Sequence, residues 1–146
     1  MNEPGLVSRW RSWSPHVLSV LRIVTAFLFM QHGTTKLFAF PAAVLPGGGT
    51  ADAGSLAWFA AVLELFGGLP LFFGVFTRPV AFLLSGEMAI AYFYGHAPQG
   101  FWPALNGGVP AILYCFVFLY LSAAGGGPWS VDAALSRGGE VARPAA

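Results

Sequence analysis

Between positions 17 and 124 the chain carries only six charged residues: Arg22, Lys36, Asp52, Glu64, Arg78 and Glu87. The rest of that stretch is mostly apolar and long enough to cross a bilayer several times, since a spanning helix takes about 20 residues. Ionisable groups in hydrocarbon are costly, usually face a protein interior, and mark candidate functional sites. Composition agrees: 9% of residues are charged and mean hydropathy is +0.67, against about 25% charged in a soluble domain. The expectation is an integral membrane protein of one domain, residues 1–146, with the lipid bilayer as its first partner.

Several classes are excluded at once. A net charge of +1 with no basic stretch gives no argument for nucleic acid. The single cysteine, Cys115, lies in an apolar run, where it reads as a packing residue and forms no disulfide, zinc or redox motif. The early apolar run continues into Gln31-His32-Gly33 without a small-residue cleavage pattern, which argues against a signal peptide.

Punctuation by proline and glycine divides the chain into four spans, at about 17–38, 56–76, 79–94 and 107–123. Pro15 suits the first turn of the first span. Pro70 predicts a kink near 66 to 70. The Thr77-Arg78 connection is so short that it makes spans two and three an antiparallel hairpin. The remainder, 124–146, reads as a polar tail frayed at its end. The fold class is therefore all-α, an integral membrane four-helix bundle. Ala60, Glu64 and Gly68 share one helical stripe in span two, and Ala81, Ser85 and Ala89 form a small-residue stripe in span three; small residues in such stripes let helices approach closely.

Basic residues orient the spans. Arg9, Arg11, Arg22, Arg78, Arg137 and Arg143 fall on or near one side, and only Lys36 toward the other. That asymmetry predicts cytoplasmic N and C termini. Trp10, Trp13 and Trp129 would mark the same interface, and Trp58, Tyr92, Tyr94 and Trp102 the outer one.

Counting along the spans places His32, Lys36, Glu64 and Glu87 at similar depth in the outer half. His32 and Lys36 share a face, because i and i+4 are neighbours on a helix. Gln31 is a candidate support, and His96 and Asn106 could cap the same cluster. Two readings stand side by side. The residues could be structural ion pairs that fix helix register, or a polar pocket for a small ligand or a quinone head. A proton or ion path is a further option. Arg22, one turn into span one, reads as snorkelling to the cytoplasmic interface, and Arg78 as a topology determinant. No CxxCH or HExxH spacing supports a metal or haem site.

The sequence also resembles a known family. Leu21-Arg22-Ile23, then Phe29-Met30-Gln31-His32-Gly33 and Lys36-Leu37-Phe38, open the pattern. Leu63-Glu64-Leu65-Phe66-Gly67-Gly68, Gly74-Val75-Phe76-Thr77-Arg78, Glu87-Met88 and the segment from His96 to Phe101 follow, and Trp129-Ser130-Val131-Asp132 closes it. These elements, across roughly residues 16–133, resemble the DoxX family of bacterial four-span membrane proteins. The resemblance implies a compact inner-membrane fold. It implies candidate site residues at Arg22, His32, Lys36, Glu64, Arg78, Glu87 and His96, without assigned catalytic steps. By analogy with DoxD-like subunits of thiosulfate:quinone oxidoreductase, it suggests a subunit or accessory component of a redox-linked or stress-related complex. Other membrane subunits would then be partners, and a quinone or lipid the bound group. A quinone-reactive oxidoreductase subunit is the alternative, and a small-solute transporter a second one. Whether the chain is an enzyme stays open at this point.

Overall fold

A computed structural model describes residues 5–45 and 47–141, with the side chains of residues 6, 7, 9 and 138 to 141 outside the description. Arg143 and the Arg9 side chain, which both contribute to the charge asymmetry, therefore lie outside the described part. Among the described residues every regular element is helical.

The first helix, α1, runs Leu6–Phe38 and contains Pro15. It starts about ten residues earlier than proline placement predicts. Pro15 sits well inside it, so its first-turn role is corrected. The next rod comprises α2 (Leu56–Val62), a widened π-turn (Leu63–Gly67) and α3 (Gly68–Phe73). Ser55 caps α2, accepting a hydrogen bond from the Trp58 amide at 3.1 Å. The expected irregularity is present, and it takes the form of the π-turn just ahead of Pro70. Such turns are a recognised cause of helix bending. The helix α4 (Thr77–Ile90) continues through a second π-turn (Ala91–His96) and a 3-10 turn (Ala97–Gln99). Then come α5 (Val109–Ala124) and α6 (Val131–Val141). The segment expected as a polar, fraying tail thus includes an ordered helix. By length and composition alone, Trp10–Phe38 and Leu56–Phe73 are apolar enough to cross a membrane, and Val109–Ala124 is a shorter apolar helix.

The helices associate in two pairs. The rod from α2 to α3 packs along α1, and α5 packs along α4, while contact between α3 and α4 is sparse. Gly33 sets the closeness of the first pair. A Cβ there would lie 2.8 Å from both the Ala61 carbonyl oxygen and the Leu65 nitrogen. Only a glycine lets the two backbones approach like this, as small residues do at membrane helix contacts. The second pair uses the Ala81/Ser85 stripe: both residues are buried, and the Ser85 hydroxyl donates to the Cys115 carbonyl at 2.9 Å. The pairs meet in a core of Ala26, Phe29, Leu71, Ala81, Leu84, Met88, Ala111, Phe118 and Leu121. Phe29 lies edge-on to Phe118 with centroids 4.8 Å apart, and Tyr114 closes the aromatic group at 5.2 Å from Phe29.

Candidate functional site

The charged residues separate into two groups, one around Arg22 at the middle of α1 and one around Lys36 in its last turn. From Arg22 to Lys36 is about 21 Å along the axis at 1.5 Å per residue.

The first group ties helix ends together. Arg22 is fully buried. Its Nε donates to the Gly126 carbonyl at 2.9 Å, Nη1 to Leu71 at 2.8 Å and also to Phe72, and Nη2 to Trp129 at 2.7 Å. The expected snorkelling is therefore corrected. The guanidinium satisfies orphan carbonyls at the end of α3 and in the α5–α6 loop, in a geometry suited to its planar fork. Arg78 does the same for the end of α5, donating to the carbonyls of Ser122 at 3.3 Å, Ala123, and Ala124 at 3.4 Å. Cations at helix C-termini also complement the macrodipole. Asp132, in the first turn of α6, accepts the amides of Phe76 and Thr77, both at 2.8 Å, and so caps α4 from another element. Partial burial opposes ionisation of Asp132, but the hydrogen bonds from Thr77 and Phe76, aided by Arg22, prevail and hold its carboxyl below the ordinary range. Gly74 makes the turn possible, with φ +70° and no room for a side chain against Ser130. Asp132 and the hydroxyl cap of Ser130 on the Ala133 amide explain why residues after 128 are helical.

The second group is the candidate site. Lys36 Nζ and Glu64 Oε1 form an ion pair at 2.5 Å, linking α1 to the π-turn. Lys36 is partly exposed and Glu64 nearly buried. The close approach at Gly33 brings these two side chains within reach of each other. Glu87, on α4, is only 9% exposed. It lies within electrostatic range of Glu64 and Lys36. Among the described residues, neither of its carboxyl oxygens has a hydrogen-bond partner, and Glu64 Oε2 has none either. Buried polar atoms are nearly always partnered, so each exception calls for an explanation.

The remaining sequence-predicted residues take other places. His32 packs edge-on against Tyr114 with centroids 5.8 Å apart, and Gln31 is exposed. His96 Nδ1 pairs with the Asn106 carbonyl at 2.9 Å, Asn106 Nδ2 donates to Gly100 at 2.7 Å, and Asn106 Oδ1 accepts the Gly108 amide at 2.8 Å. The bonds of His96 and Asn106 thus go to their own loop, as a clasp, and not to the charged cluster as expected. Tyr114, between His32 and the aromatic core and within electrostatic range of Glu64, is the member that sequence reasoning misses. An amphipathic phenol in an apolar span gives no charge signal. Among the described residues no group of histidine, cysteine and carboxylate side chains could hold a metal ion.

A groove of about 960 Å³ runs along the outside of the molecule between α2 and α4. Its walls include Phe59, Leu63, Phe82, Leu83 and Tyr94, and Glu87 lies along it beside Gly86. Phe59, Phe82 and Tyr94 are largely exposed, so the groove opens sideways, where a membrane protein meets lipid.

Comparison with known proteins agrees with this reading of the chain as a membrane protein. The chain is 43% identical over 123 residues to an uncharacterized protein of Haemophilus influenzae, covering 82% of this chain and 91% of that one. No solved structure matches. The DoxX family model matches residues 17–97, more than half of the chain, from the approach to Arg22 through Glu87 and His96. The protein is a small membrane protein that belongs to the DoxX family.

Proposed function

We propose that this protein is an accessory component of a redox-linked or stress-related complex in the bacterial inner membrane, with four spans and both termini in the cytoplasm. Its Lys36–Glu64–Glu87 cluster receives the polar head of a lipid-soluble small molecule. The carrying observation is Glu87: a buried carboxyl group with both oxygens unpartnered, beside a groove open to the side. An ionisable group at such a position is expensive unless something completes it. A purely structural network would satisfy its own members, as Arg22 and Asp132 do in the other group. The family resemblance favours a redox or stress setting by analogy.

A quinone head is the ligand that analogy suggests. Quinone carbonyls accept hydrogen bonds, so they need donors. The Lys36 ammonium faces Glu64 and keeps further N–H groups that could donate to such a carbonyl, as could Glu87 in its protonated form. Mass spectrometry of an organic extract from protein purified in native lipid nanodiscs tests the proposal. A stoichiometric small molecule lost in Glu87→Ala supports it, and an extract indistinguishable from bulk lipid in wild type and variant contradicts it.

A further inference from the structure

A second cavity, of about 370 Å³, lies where the start of α4, the α5–α6 loop and the start of α6 meet. Its walls include Thr77, Arg78, Gly125, Gly126, Ser130 and Ser136. A guanidinium carries five N–H donors. Arg78 directs Nη1 to the carbonyls of Ser122 and Ala123, and Nη2 to that of Ala124. Among the described residues, the Nε hydrogen and one on Nη2 have no partner. These two atoms form one edge of the planar group. Gly125 leaves that edge bare: a Cβ there would lie 3.5 Å from Nη2 and 3.6 Å from Nε. Arg78 itself is exposed.

Charge and surroundings decide what this pocket would take. Asp132 also lines it, but its oxygens accept the Phe76 and Thr77 amides and its charge is offset by Arg22. Among the described residues no carboxylate forms an ion pair with Arg78, so its positive charge is unmatched. A neutral acceptor would satisfy the N–H groups and leave that charge. Two adjacent N–H donors in one plane match two oxygens of a single phosphate or carboxylate. The volume falls in the range of small-molecule sites, about 300–1,000 Å³, and exceeds what a bare carboxylate fills. The flanks are those of a membrane boundary. Phe76 is 71% exposed beside Arg78. Pro79 lines both this pocket and the apolar groove between α2 and α4. Trp129, on the same α5–α6 loop, is exposed, and tryptophan favours the headgroup level.

We infer that this pocket binds the phosphate of a phospholipid, drawn from the leaflet on the side of Arg78, between Nε and Nη2 of that residue and with the lipid tails against Phe76 and Pro79. Arg78 then has two tasks: one edge of its guanidinium closes the end of α5, and the other holds the lipid. Helical rise puts Pro79 about 12 Å from Glu87. The site is therefore separate from the Lys36–Glu64–Glu87 cluster, and it stands or falls independently of the function proposed for that cluster.

Native mass spectrometry of the full-length protein, delipidated in detergent and titrated with dioleoyl phosphatidylglycerol, tests the assignment. The single net charge of that lipid matches that of Arg78. The comparison probes are dioleoylglycerol, which has the same tails and no phosphate, oleate, which offers a carboxylate, and glycerol 3-phosphate, which has no tails. The assignment predicts one saturable phosphatidylglycerol that none of the three displaces at equal concentration. Arg78→Met removes the donor edge, and its affinity should fall about tenfold or more. Because Arg78 also closes the end of α5, that variant could fail to fold, and Ser136→Glu then decides. It places a carboxylate at an exposed position on the pocket wall and leaves Arg78 intact. Its thermal unfolding should match wild type while phosphatidylglycerol binding weakens by a similar factor. Unchanged affinity in either folded variant overturns the assignment. Equal retention of dioleoylglycerol overturns it by showing that the tails alone are held. Displacement by oleate or by glycerol 3-phosphate overturns it in favour of a carboxylate or a soluble phosphate.

Discussion

Replacing Arg22 separates two accounts of an arginine within a membrane helix. If the side chain merely reached for the interface, a lysine in its place would serve as well, since both residue types snorkel. The structure instead gives the guanidinium four hydrogen bonds to the carbonyls of Leu71, Phe72, Gly126 and Trp129. Interhelical hydrogen bonds in membrane proteins average about 0.6 kcal/mol and reach about 1.7 kcal/mol. Four of them are therefore worth about 2–7 kcal/mol by those per-bond figures. Arg22→Leu forfeits all of that and leaves buried carbonyls unpaired, which pushes the cost toward the upper end. Arg22→Lys keeps the charge, but a compact ammonium cannot span acceptors on two segments as a planar fork does. It should lose about half, roughly 1–3 kcal/mol on the same basis. Equilibrium unfolding in mixed micelles by sodium dodecyl sulfate titration, followed by circular dichroism, reads both values. An Arg22→Lys protein within about 0.5 kcal/mol of wild type, the spread of neutral surface changes, would refute the capping argument.

Three other outcomes follow from the same packing. Gly33→Ala places a methyl group 2.8 Å from the backbone at Ala61 and Leu65. It should cost about 1–3 kcal/mol, as overpacking does, in the same titration. Lys36→Met strands Glu64 and should destabilise by about 3 kcal/mol, the lower end for breaking a buried pair because Lys36 is partly exposed; adding Glu64→Gln should restore most of the loss. Asp132→Asn tests a pH dependence. The folded-state carboxyl is held below its ordinary value. Its contribution is therefore complete above the unfolded carboxyl's range and disappears as pH falls through the folded value. Thermal melts should show wild type more stable than Asp132→Asn near neutrality, with the two converging in acid below about pH 4; a gap that persists unchanged into acid would count against the cap.

Local counting goes far along this chain and then meets its limit at tertiary contacts. Proline and glycine punctuation, with helical rise, is enough to put Lys36, Glu64 and Glu87 at one depth. The ion pair at 2.5 Å between Lys36 and Glu64 has the geometry such counting allows. Arg22 defeats it because its partners Gly126 and Trp129 are more than 100 residues away. Counting along one helix cannot see a loop folded over it from another. Asp132 escapes for the same reason: its partners, Phe76 and Thr77, lie over 50 residues upstream. The helix after 128 therefore looks like a loose tail in the sequence. Depth alone assigns His96 and Asn106 to the cluster, whereas each satisfies a nearby backbone group first. Local hydrogen bonds of this kind compete with longer ones and usually leave no trace in hydropathy. Tyr114 is invisible to a search for charge because nothing in its span is charged.

The central claim is that Glu87 is completed by a molecule that is not this chain. A structure determined in nanodiscs cut directly from native membranes tests it most directly. The account predicts non-protein density filling the groove between α2 and α4 and reaching hydrogen-bonding distance of Glu87. An ordered Glu87 paired with a side chain of this chain, beside a groove holding only acyl chains, would contradict it.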